Sequence, residues 1–235
     1  DDVESRGLGD VYKRQLIRWN SRKYGFIGPN TFIPLLEDSA LIIPLGRWII
    51  NTAAKACNRW ITSIPDFVMH INLSFVQIVK SNIVKDVLEN IERYSAANNH
   101  YVFEITETIE MDQIPAVQNV FKEFVKNEFR FAIDDFGTGY SNYGYMRDRT
   151  FDIVKVDRSF VTDIDKLKDN YLMVSFIIKM AHEMGLHVCI EGVETKEELS
   201  CVKKLGADYI QGYYYGKPVC LQDFEEQHLK RFVLG

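Results

Sequence analysis

Little in this sequence would tie it to a nucleic-acid polymer, a membrane or an oxidising compartment. Lysine and arginine number 28 against 33 aspartates and glutamates, for a net charge of -5 and a pI near 5.6. The clustered cationic surface that a nucleic-acid polymer requires is therefore missing. The four cysteines, Cys57, Cys189, Cys201 and Cys220, form no CxxC pair, and no histidine stands at zinc-finger spacing. That excludes a disulfide framework or a zinc finger and fits reduced thiols in a cytoplasmic domain. The best apolar run, Leu41–Ile50, is too short to cross a bilayer and carries Pro44 and Arg47. No signal peptide is expected, since residues 1–15 are polar and hold no apolar core segment. Neither common glycine-rich phosphate loop is present. What remains is ordinary for a soluble globular protein: 46% apolar and 26% charged residues over 235 positions, a length that suits one large domain.

Residues 1–15 read unlike the rest. They are polar, lack helical or strand periodicity, and abut a strand-like segment with no turn between. Asp10-Val11-Tyr12-Lys13-Arg14-Gln15 resembles an in-frame translation of a transposase adapter used in sequencing libraries. The expectation is that 1–15 is a non-native segment and that the native domain occupies 16–235.

From Leu16 onward, short apolar strands alternate with longer amphipathic stretches, the pattern of α/β folds. Strands are predicted at Leu16–Trp19, Phe67–Leu73, Tyr101–Thr106, Arg130–Asp134, Ile153–Val156, His187–Glu191 and Tyr209–Gly212. Helical spacing joins Ile83, Val87, Leu88, Ile91 and Tyr94, and again Ile114, Val117, Val120, Phe121, Phe124 and Val125. A third helix, Tyr171–Met184, is stopped by Gly185, and Thr195 with Glu198 forms a capping box. A doubly wound sheet and a closed barrel share this alternation. Polar residues separate them, because Asn72, Glu104, Asp134, Lys155 with Asp157, Glu191 and Gln211 end nearly every strand. A doubly wound sheet gathers ligand residues at one switch point, whereas all strands of a barrel deliver theirs to one mouth. The predicted fold is therefore an α/β, TIM-like (β/α) barrel.

The strand-end residues suggest divalent-cation chemistry. In Phe103-Glu104-Ile105-Thr106-Glu107, alternation puts Glu104 and Thr106 on one face, and a charge so flanked needs a partner or a metal. Taken alone, Glu104 is equally a salt-bridged glutamate. Ile133-Asp134-Asp135-Phe136-Gly137 ends a strand in adjacent carboxylates, which resist joint ionisation in a cleft unless cations hold them apart. Lys155-Val156-Asp157 spaces a lysine and an aspartate for an ion pair that orients the ammonium. Gly192, in Glu191-Gly192-Val193-Glu194, admits close approach to the backbone, and Gln211-Gly212-Tyr213 adds an amide and aromatic surface. Two motifs are set aside. His182 and His187 are five apart rather than four, with Gly185 between them. Asp135-Phe136-Gly137 lacks the companion segments of a kinase.

In order along the chain, Asn72-Leu73-Ser74, Phe103 through Glu107, Asp134 through Ser141, Lys155 through Phe160, Glu191 through Glu194 and Gln211-Gly212-Tyr213 resemble the motifs of EAL-domain phosphodiesterases. Phe32 through Leu35, Ile42 through Gly46 and Lys217-Pro218 fit as well. The likeness runs from about Leu16 to Phe224. The resemblance implies a two-metal barrel that hydrolyses cyclic di-GMP to linear pGpG with Mg²⁺ or Mn²⁺. It implies that Asn72, Glu104, Asp134, Asp135 and Glu191 are metal ligands. Glu191 would also act as base, and Lys155 would orient the attacking water. Asp157 and Glu194 would support the site, Gln211 and Pro218 would meet substrate, Arg18 would meet a phosphate, and Glu107 would brace the loop from Phe136 to Asn142. It further implies a cytoplasmic domain, compatible with a homodimer, downstream of a sensor or diguanylate-cyclase-like domain in a parent that is sometimes membrane-anchored. Four departures stand out. Arg14-Gln15-Leu16 aligns with the Glu-Ala-Leu signature, so a cation replaces a metal-binding glutamate, and the family's first strand is lacking. Asn142 and Lys217 replace a serine and an arginine. The expectation is an inactive or barely active chain, with a non-catalytic cyclic di-GMP receptor or protein-interaction domain as the alternative.

Overall fold

The structure, a computed structural model, describes residues 17–94, 96–106, 115–138 and 150–226, and the backbone of 12–14. In chain order the described elements are β1 (Tyr12–Arg14), β2 (Trp19–Ser21), β3 (Gly25–Ile27), α1 (Pro29–Asp38), α2 (Ile42–Trp60), β4 (Val68–Asn72), α3 (Phe75–Lys80), α4 (Ile83–Glu92), β5 (Tyr101–Thr106) and α5 (Pro115–Lys126). They continue with β6 (Arg130–Phe136), β7 (Ile153–Val156), α6 (Lys168–Glu183), β8 (His187–Ile190), α7 (Lys196–Leu205), β9 (Tyr209–Ile210) and α8 (Leu221–Phe224). Strands that pair in parallel and are joined by helices make the class α/β, with the βα repeat of a TIM-like fold. Among the described residues, no helix is long and apolar enough to cross a membrane.

The chain divides into two compact units. The first holds the described residues from 12 to 105 and from 115 to 130. Here β1, β4 and β5 run parallel, with Arg14 opposite His70 and Asn72 opposite Glu104. On α2, Ile42, Gly46, Ile50, Ala53, Cys57 and Trp60 recur every three or four residues and form its buried face. Trp60 meets Phe67 edge-on at 5.1 Å. Phe103, Phe124 and Phe129 form a ring cluster with centroids 5.1–5.6 Å apart, contacts worth about 0.5–1.5 kcal/mol each beyond area burial. Burial pushes the Cys57 thiol up to about 11, as suits an inert core cysteine.

The predicted strand Leu16–Trp19 does not form as one element. Trp19 instead opens an antiparallel hairpin of β2 and β3, while Ile17 and Arg18 lie outside any strand. The hairpin's turn explains the difference. Ser21 Oγ accepts the N–H groups of Lys23 and Tyr24, and Gly25 supplies a positive φ of 69°. That Ser-to-Gly spacing is turn chemistry. Strand β1 falls inside the segment that sequence set apart, and three residues are too few for alternation to declare themselves.

The second unit holds Thr106 and the described residues from 131 to 226. Its strands β6, β7, β8 and β9 are parallel neighbours in sequence order. All four residues of β7 are buried, as expected of a parallel strand covered on both faces. Gly185, at φ 78°, terminates the α6 segment as predicted. The Thr195–Glu198 capping box opens α7, and Gly206 at φ 88° closes it.

Candidate metal and catalytic site

In the second unit, Lys155 is the centre. Its side chain is fully buried, and its Nζ lies 2.7 Å from Asp134 Oδ1 and 2.5 Å from Glu191 Oε1. Burying an ammonium costs several kcal/mol unless carboxylates meet it, and here two do. Strand alternation alone would send the adjacent Asp134 and Asp135 to opposite faces. A bulge prevents that. Ile133 pairs with Val154 and Phe136 with Val156, so two residues of β6 oppose the single Lys155 of β7. Asp135 takes up the extra residue at φ 54°, a left-handed conformation that aspartate tolerates better than most residues. As a result, one ligand oxygen from each of Asp134, Asp135 and Glu191 lies within 4.8 Å of the others. Three carboxylates and one ammonium leave two formal negative charges, the charge that one divalent cation neutralises.

The turn Arg158–Phe160 holds both loops that carry these acids. A Cβ on Gly137 would meet the Phe160 ring at 2.7 Å, and one on Gly192 would collide with Arg158 Cβ. Gly137 and Gly192 have φ of 97° and 77°. The close approach expected at Gly192 is therefore made by Arg158. Sequence reasoning missed this support. The glycines beside Asp135 and Glu191 were the available signal, but their packing partner is remote in sequence.

The expected Lys155–Asp157 ion pair does not form. The Asp157 carboxylate instead caps the turn, accepting the Ser159 N–H at 2.9 Å. β7 ends at Val156, so Asp157 no longer follows the strand's alternation. Glu194 faces Arg158 at 3.9 Å, both well exposed. Gln211 directly follows β9, and its N–H donates to Ile190 O at 2.8 Å, the end of the strand that leads into Glu191. Pro218 lies exposed in a loop.

In the first unit, Asn72, the last residue of β4, pairs with Glu104, two residues before the end of β5. Leu73 N–H donates to Glu104 O at 2.9 Å. Glu104 is 1% exposed, and its Oε1 lies 2.8 Å from His70 Nδ1. The loop after Asn72 is locked by a capping box between Ser74 and Gln77, and Ser74 Oγ donates to Glu37 Oε1 at 2.6 Å. Arg18 is exposed, with Nη1 donating to Ile17 O. Glu107, Asn142 and the Arg14 side chain lie outside the described residues.

The site set aside in sequence also has an outcome. His182 Nε2 lies 2.8 Å and His187 Nδ1 3.5 Å from opposite oxygens of Asp208, which also accepts Val188 N–H at 2.7 Å. The two histidines share no helical face, as expected, since His182 is on α6 and His187 opens β8. A loop aspartate joins them.

A TIM-like α/β protein with acids and one lysine at the C-terminal ends of parallel strands belongs to the barrels whose strand ends carry chemistry. The EAL domain model matches residues 9–218, and the chain belongs to the EAL domain family. PdeG of Escherichia coli K12, a probable cyclic di-GMP phosphodiesterase, is 32% identical over 209 residues, which are 88% of this chain and 41% of PdeG. The bifunctional diguanylate cyclase/cyclic di-GMP phosphodiesterase MucR of Pseudomonas aeruginosa PAO1 is 30% identical over 87% of this chain and 30% of its own length. This chain thus spans well under half of either relative. Among solved structures, the EAL enzyme Bd1971 bound to cAMP and cyclic di-GMP superposes with a TM-score of 0.87 at 34% identity. That match covers 94% of this chain and 60% of the other.

Proposed function

We propose that this chain is the phosphodiesterase domain of a signalling protein, built to hydrolyse cyclic di-GMP to linear pGpG with Mg²⁺ or Mn²⁺. The observation that carries this reading is the grouping of Asp134, Asp135 and Glu191 around the Lys155 ammonium. Their donor atoms are hard carboxylate oxygens, which suit Mg²⁺ or Mn²⁺ rather than a thiolate-loving metal. By the family resemblance, Asn72 and Glu104 of the first unit are further candidate ligands. A divalent cation held there supplies Lewis-acid polarisation of a phosphodiester oxygen.

The chain's own residues do the rest. Lys155 holds the Asp134 and Glu191 carboxylates in fixed positions, and Glu191 takes the proton of the attacking water. Gln211 and Pro218 contact the dinucleotide and Arg18 a phosphate. Asp157 and Glu194 act through the Arg158–Phe160 turn, as their observed partners suggest, and Glu107 braces the loop from Phe136 to Asn142. The fusion of both activities in MucR supports a diguanylate-cyclase-like domain upstream in the parent. The domain works in the cytoplasm, compatible with a homodimer.

Residues 1–15 are non-native in this reading, and Arg14 stands where the family carries a metal-binding glutamate. A cation there repels the metal, so the chain as it stands turns over little or no substrate. Arg14 also favours a second reading, a receptor that binds cyclic di-GMP without cleaving it. The test is Arg14→Glu in the full chain, assayed for Mn²⁺ binding and Mg²⁺-dependent cyclic di-GMP turnover. Gain of both is expected. Cyclic di-GMP binding with neither gain would overturn the hydrolytic reading and leave the receptor.

A further inference from the structure

Strand β4 presents His70 and Asn72 on one face and Met69 and Ile71 on the other, by simple alternation. Asn72 pairs with Glu104 and His70 with Val102, two residues earlier on each strand. The diagonal from His70 to Glu104 is one that long side chains in neighbouring strands reach. They do meet, with Nδ1 2.8 Å from Glu104 Oε1, and both residues are buried, at 3% and 1% exposure. An imidazole is an expensive choice for such a position, because its ring nitrogens must be satisfied away from water. A valine or leucine would fill a strand interior at lower cost.

We infer that His70 is a positioning residue for Glu104, donating from Nδ1–H to fix the plane and rotamer of a carboxylate that serves as a metal ligand. The inference rests on the metal-dependent reading above. Its chemistry is general. A carboxylate that ligates a metal is ionised and can only accept, so in that role the short contact puts the proton on Nδ1. Hydrogen bonds to ligating carboxylates set ligand orientation, and losing them lowers metal affinity by about 10–100-fold. The β4–β5 pairing makes this support rigid, since His70 and Asn72 are two residues apart on one strand.

The experiment uses the full chain carrying Arg14→Glu. Imidazole ¹⁵N spectra at neutral pH should show His70 protonated at Nδ1. Mn²⁺ affinity read by electron paramagnetic resonance should fall about 10–100-fold in His70→Leu. His70→Asn, whose amide can still donate, should recover most of that loss. Circular dichroism and urea melts confirm that each variant is folded, and if His70→Leu fails to fold, the His70→Asn and ¹⁵N measurements decide. An Nε2–H tautomer overturns the inference. So does Mn²⁺ affinity unchanged in His70→Leu or, where only His70→Asn folds, Mn²⁺ affinity lost in it. Absence of Mn²⁺ binding in the Arg14→Glu chain itself would instead sink the metal reading, and this role with it.

Discussion

The strands β6 to β9 carry an ionic cluster at each end, and the two differ in kind. At the C-terminal end, Lys155 and Asp134 are 0% and 2% exposed and Glu191 is 12% exposed. At the N-terminal end, His182, His187 and Asp208 are 40%, 57% and 28% exposed. The hydrogen-bond distances are similar, but water changes what they mean. The buried cluster bears the desolvation cost of four charges, an arrangement poorly explained by stability alone. The exposed cluster pins the start of β8 to the segment before β9 at little cost, and its charges are screened. The costly cluster lies at the strand ends where barrels place catalysis, and the cheap one at the opposite end.

The largest test of that contrast is Lys155→Met. Removing the ammonium leaves Asp134 and Glu191 buried without it, and the expected loss is about 3–5 kcal/mol in urea denaturation. A loss below about 1 kcal/mol would put the buried cluster in the exposed class and erase the distinction.

A smaller and sharper test is Asp135→Asn. The amide keeps tolerance of the positive φ and removes one of three like charges. Without divalent cations, stability should rise by about 0.5–1 kcal/mol, while Mn²⁺ affinity falls at least about tenfold. Thermal melts with and without Mn²⁺ would show the two effects moving in opposite directions. Parallel losses would mean that Asp135 is structural.

Asp208→Asn should do least. Burial raises the Asp208 carboxyl, but hydrogen bonds from His182 and Val188 N–H outweigh it and hold the group below its usual range. A depressed carboxylate contributes stability above its unfolded pKa and loses it as pH falls through the folded value, here below about pH 4. At neutral pH the variant should cost under about 1 kcal/mol. The gap in urea midpoint between parent and variant should close on going from pH 6 to pH 3. A gap that widens in acid would reverse the assigned sign.

Local chemistry made much of the frame legible. Tyr101–Thr106 and Ile153–Val156 match their observed bounds, because short runs rich in β-branched and aromatic residues, each with a single internal charge, read as buried strands. The Thr195–Glu198 cap and the Gly185 stop are legible from equally local signals. Helices α1 and α2 escaped notice. Pro34 sits inside α1, and Pro44 and Arg47 break the apolar run that opens α2, so neither stretch shows a clean helical period. The hairpin at Trp19–Ile27 was hidden in the same way, since its turn rests on a serine side chain rather than on a familiar dipeptide.

By itself, the sequence determined that acids, amides and one lysine end successive strands, because strand period and residue type are local properties. Tertiary structure decided which of them touch. The bulge that turns Asp134 and Asp135 together, the Lys155 ammonium shared with Glu191 rather than Asp157, and the diagonal from His70 to Glu104 all depend on register between strands. Register is set by packing and hydrogen bonding between distant segments, and a one-residue change in it redirects every side chain.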